Sequence, residues 1–257
     1  MNKRTRKYTP LPDYVKSCLD KSDGEMCPAE SDILYPSSFF TLSRNIRNAG
    51  EACGWYLQFL PMRRWRLSRA VKNFSMLEQA LRCAQGSTQI EDLGRAAHIS
   101  RRDFDERETF LFRAQSPSIE YLSLLIENAL LLRANRSGRV YAGFGKLSRM
   151  EPVIDRYMRI ADLSERVYVF GVPDWKPPSH PHMKLLTFDE QDRLARECFI
   201  IADSSTLHAA LIATDEDATP RPKLEERSFR GFKTSHPVIV SELGAIAEGL
   251  IDDSLAA

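Results

Sequence analysis

Apolar positions along this chain change their period between the first half and the second. Up to about residue 50 the repeat is weak, and Pro28, Pro36, Ser37 and Ser38 mark loops with one or two helices among them. Phe39 to Ala52 has a helical spacing, with Ser38 as its N-cap. After the break at Pro61, Leu77, Leu81 and Ala84 define a further helix that Gly86 ends. Residues 89–115 read as two helices joined tightly. Ser116 and Pro117 restart the chain as N-cap and first helical residue, with Glu120 in the first turn. The helix from about 117 to 134 carries Ile119, Leu122, Leu125, Ile126, Ala129 and Leu130 on one face, while Tyr121, Leu124, Leu131 and Leu132 fall outside it. A helix apolar on most sides is buried on most sides, in a core or in a subunit interface.

Beyond the turn at Asn135-Arg136-Ser137-Gly138 the pattern becomes that of strands. Val140 to Phe144 and Val167 to Gly171 are apolar runs of strand length, separated by a helix over Met150 to Leu163 with Ile154, Met158 and Ala161 on one side. Pro173 to Pro181 is a Pro-rich loop. Met183 to Phe188, Glu197 to Ala202, Leu207 to Ala213 and Phe229 to Lys233 are further strands, and Val238 to Asp252 closes the region as a helix. Strand, helix, strand, then several strands and a last helix predict an α/β or α+β fold. Its mixed β-sheet is flanked by helices in the C-terminal half, behind a mainly helical N-terminal half. The division expected is residues 1–115 and 116–257.

Composition narrows the function classes. Lys and Arg total 36 against 35 Asp and Glu, a net charge of +1, which argues against coating nucleic acid through bulk charge. Five cysteines at irregular gaps, with no CxxC pair, read as free thiols of a reducing cytosol rather than a disulfide framework. The basic start Met1 to Lys7 has no apolar stretch after it, so it is not a signal peptide, and no segment reaches the length of a membrane span. The expected location is cytoplasmic. Charge is uneven: Arg63, Arg64, Arg66, Arg69 and Lys72 form a run without acids, whereas residues 236–257 carry only acids.

Six blocks in the second half carry a family resemblance. They are Gly138 to Phe144, Arg156 to Ala161, Val167 to Asp174, Glu197 to Asp203, Ala210 to Ala213, and Phe229 to Thr234. Their order and spacing over roughly 117–250 resemble the DICT domain, a sensory domain of diguanylate cyclases and two-component systems. The resemblance implies a non-enzymatic signal-input role, with light or a metabolite as input. It also implies a signalling partner such as a histidine kinase, a response regulator or a cyclase. It brings no catalytic residues to carry over, and no cofactor is assigned.

The residues with chemical potential are few. Ile90 to Phe104 resembles a helix-turn-helix within 88–113, with Ser100 capping the second helix and Arg101 and Arg102 placed to meet DNA. His98 in the turn and the acids from Asp103 onward oppose that role, and an ordinary helical hairpin is the competing reading. DNA binding, with the C-terminal half as sensor, is the alternative function. His180-Pro181-His182 needs at least a third ligand, from Cys198, Asp203 or His208, to hold a metal, and no metal site is assigned. Gly138 to Lys146 lacks the Lys-Ser/Thr of a phosphate loop. The acids at Asp215-Glu216-Asp217 and Glu225-Glu226 fit an exposed turn. Glu127 and Asn128, inside the apolar helix, must be paired, reach water or meet a ligand. Trp175, in Asp174-Trp175-Lys176, either caps the core or docks a partner. Glu127, Asn128 and Trp175 are therefore the candidate signal contacts. Self-association through helix 117–134 or the N-terminal helices is expected.

Overall fold

The computed structural model describes residues 64–67, 72–96, 99–133, 138–217 and 227–256. The helix expected at 39–52 lies outside them, as does His98. In chain order the elements are β1 (Arg64–Arg66), α1 (Met76–Ala84), β2 (Glu91–Arg95), α2 (Arg101–Glu106), β3 (Thr109–Gln115), α3 (Ser116–Leu132) and β4 (Arg139–Lys146). There follow α4 (Ile154–Leu163), β5 (Arg166–Val172), β6 (Met183–Thr187), β7 (Glu197–Ser204), β8 (Leu207–Asp215), β9 (Ser228–Thr234) and α5 (Pro237–Ala256). Short 3₁₀ turns at Leu147–Val153 and Arg193–Arg196 precede α4 and β7.

The nine strands among the described residues join one mixed sheet in the order β1-β6-β5-β4-β7-β8-β9-β3-β2. β1, β6, β5 and β4 run parallel to one another, and β7, β8, β9 and β3 continue antiparallel from β4. The mixed sheet flanked by helices is as the sequence predicts for the C-terminal half, but β1, β2 and β3, from the half expected to be mainly helical, join it too. The boundary expected at 115/116 falls between the last residue of β3 and the first of α3, and β3 is hydrogen-bonded to β9 along its length.

The region 88–113 differs from expectation. The segment expected as the first helix of a hairpin is β2, and the chain returns as β3, parallel to β2, after the six-residue α2. Thr-Phe-Leu-Phe-Arg-Ala-Gln alternates with the period of a strand: Phe110, Phe112 and Ala114 go to the core, while Arg113 reaches Glu216 at 3.2 Å. Nearby side chains cannot reveal β2, a polar edge strand specified by its partner. Ser100 does cap α2 as predicted, accepting from the Asp103 amide at 3.1 Å.

Both faces of the sheet are covered, which explains why its strands are apolar without alternation. Val140, Ala142, Val167, Val169, Ile200 and Leu211 enter a first core beneath α2, α3 and α4. Tyr141, Phe170, Phe199, Ile201, Ile212 and Phe232 enter a second, beneath α1 and α5. Gly143 sits opposite Phe199 on β7, and the phenyl ring occupies the space a Cβ would need, 2.2 Å away. Two residues on, Gly145 takes φ +70° where the β4–β5 register shifts. Its absent Cβ would lie 2.7 Å from the Ala195 carbonyl oxygen.

Lys233 is enclosed within the first core's side of β9, 1% exposed. Its ammonium donates to the Arg107 carbonyl at 2.5 Å and to Ser235 Oγ at 3.3 Å, over the Phe104 ring at 4.8 Å. It thereby ties the chain after α2 to the sheet. Burial pushes its pKa down to about 8, with Asp105 and Glu108 opposing.

Two outcomes follow for stability. Gly145→Ala is expected to cost about 1–3 kcal/mol in urea unfolding, because a positive φ and a backbone clash coincide. For Lys233 the unfolded chain binds the extra proton between pH 8 and the ordinary lysine value. The penalty is therefore full below pH 8 and fades as pH rises through that window. The wild type should gain stability relative to Lys233→Met between pH 7.5 and 10, and equal pH profiles would refute this assignment.

Candidate functional site

α3 starts one residue earlier than predicted, with Gln115 at the cap and Pro117 in the first turn. Ile119, Leu122 and Ile126 face the sheet, and Glu127 lies among them at 4% exposure. Its partner comes from another helix. Arg156 of α4 donates from Nη1 at 2.6 Å. Burial raises the Glu127 pKa, and Arg156 and Tyr157 oppose that. The Tyr157 hydroxyl is held well above its ordinary value, first by burial and then by the Glu127 charge. A buried carboxylate paired with one guanidinium fixes how α3 and α4 lie against each other. Asn128, next in sequence, is half-buried.

Trp175 is half-buried and packs on the first core. The segment 173–182 around it links two parallel neighbours, β5 and β6, without a helix. Asp174 fastens one end, accepting from the Ser148 hydroxyl at 2.6 Å and the Ser148 amide at 2.9 Å. Burial pushes the Asp174 pKa up, but these bonds outweigh it and hold the carboxyl below its usual range. The two histidines fasten the other end. His180 Nδ1 accepts from the His182 amide at 3.1 Å, which makes Nε2 the donor to Asp162 at 3.0 Å. His182 Nδ1 donates to the Ser164 carbonyl at 3.1 Å. The HxH spacing therefore serves a strap, with His208 paired separately to Asp203 at 3.1 Å. Among the described residues no cluster of three His, Cys, Asp or Glu side chains could hold a metal.

Two further groups surround the start of β4. Arg139 bonds Glu165 at 3.2 Å and Glu248 of α5 at 3.0 Å, and Tyr141 donates to the same Glu248 at 2.7 Å. Tyr141 stacks on Tyr168, ring centroids 5.5 Å apart. On the other side of Arg139 a small cleft is lined by Leu130, Arg133, Ser164, Ser204 and Leu207. At the opposite end of the strands, Glu197 is 2% exposed and accepts from Ser75 Oγ, the Met76 amide and Thr214, capping α1.

The other sequence candidates have structural partners. Arg101 and Arg102 are exposed on α2 and pair with Asp105 at 3.5 Å and Glu106 at 2.8 Å. The two-helix unit expected to present them is not formed, since β2 takes the first helix's place. Lys146 ends β4 and pairs with Glu190. Asp215 accepts from Arg227 at 3.1 Å; Glu225 and Glu226 lie outside the described residues. Burial pushes the Cys83 thiol up to about 11 and the Cys198 thiol to about 12, so both stay protonated at neutral pH. No helix among the described residues is long and apolar enough to cross a membrane.

The elements from β3 to β8, with α3, the Glu127–Arg156 pair and the 173–182 strap, coincide with a family match. Residues 112–216 match the DICT family. Its description is "Sensory domain in DIguanylate Cyclases and Two-component system". This is the family that the sequence blocks indicate, and DICT is a sensory domain of signalling proteins. The match ends at Glu216, so the last resembling block, in β9, and the whole of α5 lie beyond it. No curated protein matches the chain. Among solved structures, the polyphosphate kinase of Porphyromonas gingivalis is similar at 13% identity and a TM-score of 0.41. The alignment covers 62% of this chain and 30% of the kinase, and a likeness of that degree carries no functional argument.

Removing one partner of the α3–α4 pair leaves a buried charge. Arg156→Ala should destabilise the protein by roughly 2 kcal/mol, less than a fully buried pair gives because Arg156 keeps a third of its side-chain surface in water. Glu127→Gln in the Arg156→Ala background should recover part of that loss. Urea unfolding of the four proteins of the cycle measures both, and strict additivity would refute the coupling.

Proposed function

We propose that this chain is a non-enzymatic signal-input protein of the cytoplasm, which acts by contact with a signalling partner such as a histidine kinase, a response regulator or a cyclase. The DICT match over 112–216 carries this reading. Its sensory description names the role, and the family occurs in signalling proteins. Packing supports contact as the means. α3 buries one side on the sheet, yet Leu124, Leu125 and Asn128 are only half-buried, and Leu132 at its end is 84% exposed. An exposed leucine beside half-covered apolar positions is the composition of a contact surface. The same face supports self-association. The input, light or a metabolite, acts in this reading by shifting how the α3–α4 layer and the 173–182 strap are held.

Purification of the tagged chain from its own cells, followed by mass spectrometry, tests the reading. Recovery of a kinase, response regulator or cyclase is expected, reduced at least several-fold by Trp175→Ala or Leu124→Asp in protein that keeps its fold. Turnover of a phosphoryl or nucleotide substrate by the pure chain would overturn the non-enzymatic assignment.

A further inference from the structure

The end of α3 and the outer face of α5 have complementary unmet needs. Leu132 is 84% exposed. The guanidinium of the following residue, Arg133, donates to the Thr206 carbonyl at 3.1 Å and meets no carboxylate among the described residues. Arg139, in the same cleft, is already neutralised by Glu165 and Glu248. Among the described residues, Arg133 is thus the uncompensated cation at this end of α3.

α5 presents the opposite case. Along its exposed side run Ala245, Gly249, Asp252 and Asp253, spaced four, three and one residues apart, so they share one face. No atom lies within 4 Å of where a Cβ of Gly249 would stand, so the stripe is open to a neighbour there. Asp252 and Asp253 are exposed and make no ion pair among the described residues. Both stand near the C-terminal end of a 20-residue helix whose last turn has no basic residue. Carbonyl dipoles already make that end negative, so two carboxylates there repel the helix as well as each other. Residues 236–257 contain no Lys or Arg to relieve them. Relief must come from elsewhere, and a guanidinium is the suitable group. Both halves of the patch meet at Arg139, which lines the cleft beside Arg133 and holds Glu248, one helical turn before Asp252.

Deepening the contact reading above, and resting on it, we propose that two copies of this chain associate about a two-fold axis through this patch. Leu132 of each copy sits on the Ala245–Gly249 stripe of the other, and Arg133 pairs with Asp252 and Asp253. Because donor and acceptor patches are on the same chain, a two-fold arrangement makes every contact twice and closes the assembly. A helix end on a helix face covers less than a standard interface, so the dimer is weak, concentration-dependent and salt-sensitive.

Sedimentation equilibrium on the full chain tests this. The expected mass rises from 29.3 kDa toward twice that value as protein concentration approaches on the order of 100 μM. It should fall back in about 0.5 M salt, where charges are screened within a few ångströms. R133E alone, the pair D252K and D253K alone, and L132D alone should each leave a monomer, with circular dichroism unchanged because all four side chains are exposed. Combining R133E with D252K and D253K should restore the dimer. A wild-type monomer at every concentration, or a dimer indifferent to each variant, would overturn the proposal. Partner capture is read separately. A monomer that still recovers its kinase or cyclase refutes this interface and leaves the contact reading standing, while a dimer that recovers none does the reverse.

Discussion

β4 sets the constraint on which the rest of the structure depends. It is the strand where the sheet changes from parallel to antiparallel, with β5 on one side and β7 on the other. Its alternate residues enter different cores: Val140 and Ala142 one, Tyr141 the other. A strand buried on both faces and hydrogen-bonded on both edges has no freedom of register, since a slip of one residue would exchange the two cores. The glycines at its far end belong to the same constraint. Gly143 makes room for the Phe199 ring, and Gly145 supplies the irregularity that lets the chain leave the sheet toward α4.

Polar groups within and beside this frame hold helices in place. Glu127 with Arg156 sets α3 against α4. Glu248 with Arg139 and Tyr141 sets α5 on β4. Glu197 caps α1 from β7. Glu248 and Glu197 therefore attach α5 and α1 to the strands, and Glu127 joins α3 to α4, in addition to apolar packing. Removing a carboxylate's partner affects the position of a whole element more than the integrity of the sheet, because the strands keep their own hydrogen bonds.

Much of the second half was legible in the sequence because its strands are short apolar runs between clear punctuation, such as Val167 to Gly171 before the prolines. The region 88–113 was not, because β2 is a polar edge strand whose identity comes from pairing with β3 rather than from its own residues. The candidate residues divide in the same way. Glu127 announced itself as a charge among leucines, but its partner lies 29 residues away on another helix and local spacing could not supply it. Lys233 was missed although a signal existed. It shares the strand parity of Phe229 and Gly231, which predicts an inward side chain. Glu197 gave no such signal, since a carboxylate at the head of a strand looks the same whether it meets water or a helix terminus.

The strap at 173–182 has a thermodynamic consequence. Elsewhere on that face the first core is roofed by helices, which melt cooperatively because each turn is bonded to the next. The strap has no such ladder. It is held by Asp174 at one end, the histidine pair at the other, and the indole of Trp175 between. The free energy to expose the core beside β5 and β6 is therefore set by three fastenings that release without disturbing a strand or a helix. Local openings of this kind need less free energy than opening of the sheet, whose inner strands are hydrogen-bonded on both sides. Among the described residues, the strap is thus a place where the core beside β5 and β6 can be uncovered while the sheet keeps its hydrogen bonds.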